Sequence, residues 1–298
     1  MHDSFSTCLR PARQLVVSGL LALALPALAE SLAGSGKLLL TGGVTQVEGA
    51  AGGGLTPWAV IGGYGTGDQI GANAFYTNVN SGDYLFQSAG ALLGVYDKVE
   101  FSYARQSFNT RDVGTALGLG HGFVFHQDVV GLKVKLAGDA VLEQGDWMPQ
   151  IAAGIQYKRN DRGAVVRSVG AKDHSGTDFY ISATKLLLDQ SLLLNATLRA
   201  SRANQLGILG FGGDKHDRYQ ALLEGSAAVL LRRDLALGVE FRQKPDNLKV
   251  AKEDNWFDAF IAWAPTKHVS VTLAYAHLGN IVLRDKQHAP YLSIQSGF

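Results

Sequence analysis

From about Trp58 to the terminal Phe298 the chain repeats one pattern: a stretch of alternating apolar and polar residues, then a connection, short and long by turns. About 12 such stretches follow one another. The short connections centre on Asp97, Ala140, Asp189, Arg233 and Thr266, and all but the second span about 3 to 4 residues. The long ones run near 67–83, 110–121, 159–176, 204–216, 244–254 and 279–289. An even number of antiparallel strands, with turns gathered on one rim and loops on the other, is the pattern of a transmembrane up-and-down β-barrel. A soluble sandwich does not sort its loops this way. The expected fold is therefore all-β, with the barrel over residues 57–298.

The chain opens with Arg10 and Arg13, followed by an apolar run from Leu15 to Ala29 broken by Ser18 and Pro26. That reads as a cleaved signal peptide over 1–29, ending at Ala27-Leu28-Ala29. The run is shorter than the ~20 apolar residues a spanning helix needs. The only cysteine, Cys8, precedes it, so the expected mature chain has no thiol for disulfides, thiolate metal sites or nucleophilic catalysis. Removing Arg10, Arg13 and Asp3 from 27 basic and 26 acidic residues leaves 25 of each. A neutral chain without a basic block does not fit a nucleic-acid partner. Hydrophobic content of 46% with 18% charged residues suits a barrel, in which only alternate residues meet lipid.

Alternation assigns faces, because successive strand side chains point to opposite sides. Leu192, Leu194, Ala196 and Leu198 oppose Asn195, Thr197 and Arg199. Leu235, Leu237, Val239 and Phe241 oppose Glu240 and Arg242, and Val269, Val271, Leu273 and Tyr275 oppose Ser270 and Thr272. The segments 84–95 and 177–187 have no clean parity. With the apolar face toward lipid, the lumen-lining candidates are Glu100, Lys133, Lys135, Lys158, Arg199, Glu224, Glu240, Arg242 and Asp258. Charges in a narrow lumen are costly unless paired or hydrated. The turn around Arg233 sets Val229 opposite Leu237, which brings Glu224 opposite Arg242 as a pair. Two aromatic rows bracket the aliphatic band: Trp58, Tyr96, Trp147 and Trp263 toward the turns, and Tyr64, Phe108, Tyr157, Tyr219 and Tyr275 toward the loops. They are the expected interfacial girdle.

The chain ends Tyr291-Leu-Ser-Ile-Gln-Ser-Gly-Phe298, which resembles the closing strand of bacterial outer-membrane proteins, although Ser296 departs from the apolar residue expected there. The resemblance implies that Phe298 is an assembly signal, with the barrel-assembly machinery and outer-membrane lipids as partners. From Gly36 to Tyr64 the sequence GKLLLTGGVTQVEGAAGGGLTPWAVIGGY resembles the opening of an uncharacterised proteobacterial family, domain of unknown function 3034. That resemblance implies the outer membrane of a Gram-negative bacterium and supplies no activity. Residues 30–56 form a Gly-rich segment whose place is open: a periplasmic tail, an extra strand, or a chain folded into the lumen.

The glycines do not make a phosphate loop, because Gly52-Gly53-Gly54-Leu55-Thr56-Pro57 lacks the Gly-Lys-Ser/Thr ahead of a helix. For acyl transfer a nucleophile must stand beside a His, and His277, on the lipid-side parity, has no serine on the same face of the neighbouring strands. Neither His121 with His126 nor His216 between Asp214 and Asp217 has the spacing of a closed metal site. No cofactor, metal or catalytic residue is assigned. Twelve strands fall between side-chain-filled barrels of 8 and open channels of 16 to 18. The first functional reading is a passive channel or small-solute transporter. The alternatives are a closed structural or surface-interaction barrel and, less favoured, a lipid hydrolase.

Overall fold

The computed structural model describes residues 36–145, 147–250 and 252–298. The expected signal peptide and Cys8 lie outside the described residues. Two short strands, β1 (Val44–Thr45) and β2 (Ala51–Gly52), pair in a small hairpin. Twelve longer strands follow: β3 (Ile70–Asn80), β4 (Leu85–Val95), β5 (Val99–Asn109), β6 (Val124–Ala137), β7 (Gln150–Asn160) and β8 (Ser175–Leu187), then β9 (Leu192–Ser201), β10 (Gln220–Arg232), β11 (Leu235–Arg242), β12 (Trp256–Thr266), β13 (Val269–Ile281) and β14 (Arg284–Gly297). Each pairs antiparallel with the next, and β14 returns to β3 with Ile294 opposite Tyr76, so the sheet closes. Closure removes the unpaired edges that no spanning structure can leave in lipid. Two single-turn helices, α1 (Arg111–Ala116) and α2 (Gly163–Ser168), sit in the long connections.

The barrel begins at Ile70, not at residue 57. Residues 58–66 were expected as the first strand and 67–83 as a loop; the strand is 70–80 and the chain before it lies inside the barrel. The physical reason lies in composition. Trp58-Ala-Val-Ile61 is apolar on both sides, as a chain buried all round must be. In β3, Gly71, Asn73, Phe75, Thr77 and Val79 face inward, and its asparagines give a true strand the look of a loop. The connection near 279–289 also contracts, to the tight turn at Val282 and Leu283 between β13 and β14. Conversely, the connection about Ala140 is long, running from 138 to 149. The rims still differ, with the connections at 110–123, 161–174, 202–219 and 243–255 all on one of them.

Outside, the wall is apolar. Leu194, Leu198, Leu223, Leu237, Val239, Ile261 and Leu273 are exposed, flanked by Tyr96 and Trp263 toward the turn rim and Tyr157, Tyr219 and Tyr275 toward the loop rim. Trp147 is 88% exposed in the 138–149 connection. Three of the expected girdle residues do not belong to it. Trp58 is only 5% exposed and sits in the lumen, where its indole donates to Ser226 Oγ at 2.9 Å. Tyr64 also belongs to the inner chain, its backbone N–H bonded to the Phe298 carbonyl. Phe108 points inward and stacks on Tyr84. Aromatic residues near strand ends serve lumen packing as readily as an interface.

The faces lead to a stability prediction. Leu237 is 46% exposed in the middle of the outer band, where an arginine costs ~2–4 kcal/mol at the bilayer midplane. Leu237→Arg is expected to lower unfolding stability in lipid vesicles by about that much, against little change for Lys249→Ala in an exposed loop. Equal denaturant midpoints for the two variants would mean that Leu237 does not face lipid.

Candidate functional site

The lumen is stoppered by the chain's own residues 37–69. An irregular peptide away from water must have its N–H and C=O groups paired, and here the wall supplies the partners. Ser88 Oγ and Gln106 Nε2 each donate to the Val47 carbonyl at 2.8 Å. Thr197 Oγ1 donates to the Pro57 carbonyl and Gln150 Nε2 to that of Ala59, both at 2.8 Å, while the Ala59 N–H donates to Thr184 Oγ1. Lys133 Nζ donates to the carbonyls of Ala51 and Val60, and its salt-bridge partner Glu100 accepts from the N–H groups of Ala51 and Gly62. At the turn rim, Asp97 is held by Lys37 of the plug at 2.6 Å and Lys135 of β6 at 2.9 Å.

The triple glycine receives an anion after all, but an internal one. Glu240 of β11 accepts from the N–H groups of Leu55 and Thr56 and from Thr56 Oγ1, at 2.8, 3.4 and 2.6 Å. A Cβ on Gly53 would stand 2.0 Å from Glu240 Oε1, so glycine is what lets the backbone come this close. Opposite Glu240 on β12 stands Asp258, buried, with neither carboxylate oxygen hydrogen-bonded.

At mid-lumen six charges meet with almost no solvent. Glu48, at the tip of the β1–β2 hairpin, is bonded by Lys158 and lies 2.8 Å from Arg242 and 3.6 Å from Arg199. Asp178 takes Lys158 at 2.6 Å and Arg199 at 3.4 Å. Glu224 takes Arg199 at 2.5 Å and Arg242 at 3.3 Å, in the register that sets Glu224 opposite Arg242. Three cations face three carboxylates. Of the sequence-derived lumen candidates, Glu100, Lys133, Lys158, Arg199, Glu224, Glu240, Arg242 and Asp258 are buried within the barrel. Lys135 is 18% exposed at the turn-rim mouth instead. Glu48 and Asp178 were missed: the first lies in the Gly-rich segment, the second in a strand without clean parity. Phe179 and Ile181 facing out against Asp178 and Ser182 was the available signal.

Above this network the loop-rim half is apolar. Residues 204–209 fold inward as a cap, with Gln127 Nε2 donating to the Leu206 carbonyl at 3.0 Å and Asn160 Nδ2 to that of Ile208 at 2.6 Å. Gln205 Nε2 donates to Glu253 Oε2 at 2.6 Å, and Glu253 pairs with Lys244 at 2.8 Å. Burial pushes the Lys244 ammonium below its ordinary range and the Glu253 carboxyl above its own, each partly offset by attraction to the other. On the outer face, His277 Nδ1 lies 3.4 Å from His288 Nε2, with Phe257 and Tyr275 stacked beside the pair. His121 and His126 each meet one aspartate, Asp112 and Asp161. No group of three or more metal-binding side chains occurs among the described residues.

The mid-lumen balance is testable. Glu48→Gln leaves three cations facing two carboxylates, and breaking a buried network this way costs ~3–5 kcal/mol. Adding Lys158→Met to Glu48→Gln restores the balance, and we expect it to recover part of that loss in vesicle unfolding measurements. Losses that simply add would mean that the six groups do not act together.

A family described as Protein of unknown function (DUF3034) matches residues 41–295. No curated protein matches the chain. Among solved structures, the KdgM porin in complex with disordered oligogalacturonate is similar at 10% identity and a TM-score of 0.46, with 76% of this chain and 99% of that chain covered. Omp33 of Acinetobacter baumannii has 8% identity and a TM-score of 0.44, covering 78% and 100%. Outer membrane phospholipase A from Escherichia coli has 11% identity and a TM-score of 0.43, covering 76% and 92%.

Proposed function

This chain belongs to the DUF3034 family, which brings no activity with it, and we propose that it is a gated small-solute transport barrel of the Gram-negative outer membrane. One observation carries the reading: the lumen is filled by a separable segment, residues 37–69, and not by strand side chains alone. A small barrel that serves only as a wall fills its interior with its own side chains. Twelve strands enclose more, and the segment occupying that room is covalently continuous with the wall at Ile70. Shifting it opens a path lined by Glu100, Lys133, Lys158, Arg199, Glu224, Glu240, Arg242 and Asp258. The resting state is closed, so passage depends on displacing the plug. Phe298, whose N–H and carbonyl both bond to Ala72, acts in this reading as the recognition end for the assembly machinery.

The second reading, a closed structural barrel, is favoured by the charge-balanced network around Glu48, which has the form of a permanent tie. Planar-bilayer recordings separate the two. The full chain is expected to open rarely. Glu240→Gln weakens hydrogen bonds to a charged acceptor, each contributing ~1.5–3 kcal/mol, and should raise the opening frequency about tenfold or more. Deleting residues 37–62 should leave a steadily conducting barrel. No current from any of the three would sink the transport reading and leave the structural one.

A further inference from the structure

The run Leu38-Leu39-Leu40 opens the plug, and none of the three is buried. A tight turn holds them so. The Thr41 hydroxyl donates to the Leu38 carbonyl at 2.7 Å and the Gly43 N–H to that of Leu40 at 3.1 Å. Leu40 itself sits at φ 62°, in the left-handed region that leucine rarely adopts. Leu38 is 60% exposed, and it belongs to the inner chain, not to the lipid-facing wall, so the bilayer does not account for its exposure.

Across the turn-rim mouth this run faces the wall. Leu38 and Leu39 on one side, with Leu186 of β8 and Leu230 of β10 on the other, line a cavity of about 470 Å³. Pockets that hold small ligands fall in this size range. Leu186 and Leu230 share the inward parity of Thr184 and Ala228, so the cavity lies between plug and wall. It is on the rim of short turns, which in an outer-membrane barrel is the periplasmic one. Two arginines of the β10–β11 turn, Arg232 and Arg233, also line it, and no carboxylate does. Apart from Thr41 and Ser191, every other lining residue is a leucine.

An arginine on a turn is ordinarily just hydrated. Arg232 uses Nε and Nη2 on Asp234, at 3.1 and 2.9 Å. Arg233 is exposed and makes no ion pair among the described residues. An apolar hollow with a free guanidinium beside it is complementary to an alkyl chain that ends in an oxyanion: the chain leaves water, and the planar fork matches a carboxylate. We propose that this cavity binds a free single-chain alkyl carboxylate from the periplasmic side, the chain lying between the plug's leucines and those of β8 and β10, and the carboxylate meeting Arg233. A bilayer phospholipid does not fit the place, because its acyl chains lie outside the wall. The occupant touches plug and wall at once. Its binding goes beyond the transport reading and requires no movement of the plug.

Octanoate titrated by calorimetry into the full chain, as recovered from the outer membrane and placed in phosphatidylcholine nanodiscs, tests the site with no detergent to compete. Empty nanodiscs are the blank. Saturable binding is expected, tightening about fourfold for each methylene added between hexanoate and octanoate. Octanol, of the same length without the charge, should bind about tenfold more weakly. Arg233→Gln should weaken octanoate about tenfold and leave octanol unchanged. Leu38→Asn, at an exposed position, should weaken both. Heat no different from the blank, equal affinity for octanol and octanoate, or an Arg233→Gln variant that binds octanoate as well as the unchanged chain would each overturn the assignment. Binding that appears only when the chain is shortened to begin at Gly36 would also overturn it, giving the cavity to the chain's own start. Currents from the plug variants decide transport and leave this result untouched.

Discussion

Everything inside this barrel depends on one requirement: an irregular peptide withdrawn from water must find a partner for each of its backbone polar groups. The plug's hairpin and turns pair some of these groups internally, such as the Val47 N–H with the Gly54 carbonyl and the Trp58 N–H with that of Ala51, and the wall must supply the rest. The inward-facing Ser, Thr, Gln, Asn and Lys residues do so. Ser88, Gln106, Gln150, Thr184 and Thr197 look, as a composition, like the lining of a water-filled pore, yet each is spent on a carbonyl or N–H of residues 47–59. A polar lumen is thus a statement about what must be satisfied, and water is only one way of satisfying it.

Charge obeys the same rule at higher stakes. Without the plug, the wall would present Lys158, Arg199 and Arg242 to Asp178 and Glu224, one cation in excess in a confined space. Glu48 supplies the missing carboxylate from a position that no strand reaches. Glu240 works in the opposite sense, as a wall anion that the plug must neutralise with backbone dipoles, which is why Gly53 stands where a side chain would collide with it. Successive N–H groups turned toward one point make an anion-binding concavity. The resemblance of the Gly-rich run to a ligand loop is physically apt, with a carboxylate of the same chain as the ligand.

The barrel was legible because its signal is periodic and repeated. Eleven of the twelve strands fall near their expected places, and the β10–β11 register follows from one turn and one parity, down to Glu224 opposite Arg242. What was not legible has a common cause. A plug is held by contacts far apart in sequence, such as Thr56 with Glu240 or Glu48 with Arg242, and it has no period of its own to betray it. Trp58 illustrates this: its neighbours in sequence suggest a strand end at an interface, but its indole is placed by Ser226. The first true strand was obscured for the converse reason, since its outward residues Ala72, Ala74 and Asn78 are small or polar and dilute the apolar alternation.

The two halves of the lumen are held by different forces, and this bears on which of them can move. The turn-rim half is tied by directed, charge-assisted bonds among Asp97, Lys37, Lys133, Glu100 and Glu240, whose strength depends on geometry and falls steeply when it is lost. The loop-rim half rests on apolar contacts among cap, wall and plug, which are non-directional and survive sliding. Its directed bonds run from Gln127 and Asn160 to cap carbonyls and from Gln205 to the Glu253 carboxylate. A displacement of the cap therefore meets a shallow rise in free energy, whereas one of the plug must break several charged bonds together. On the transport reading proposed above, the outer half gives way first, with the plug as the slower and more decisive barrier.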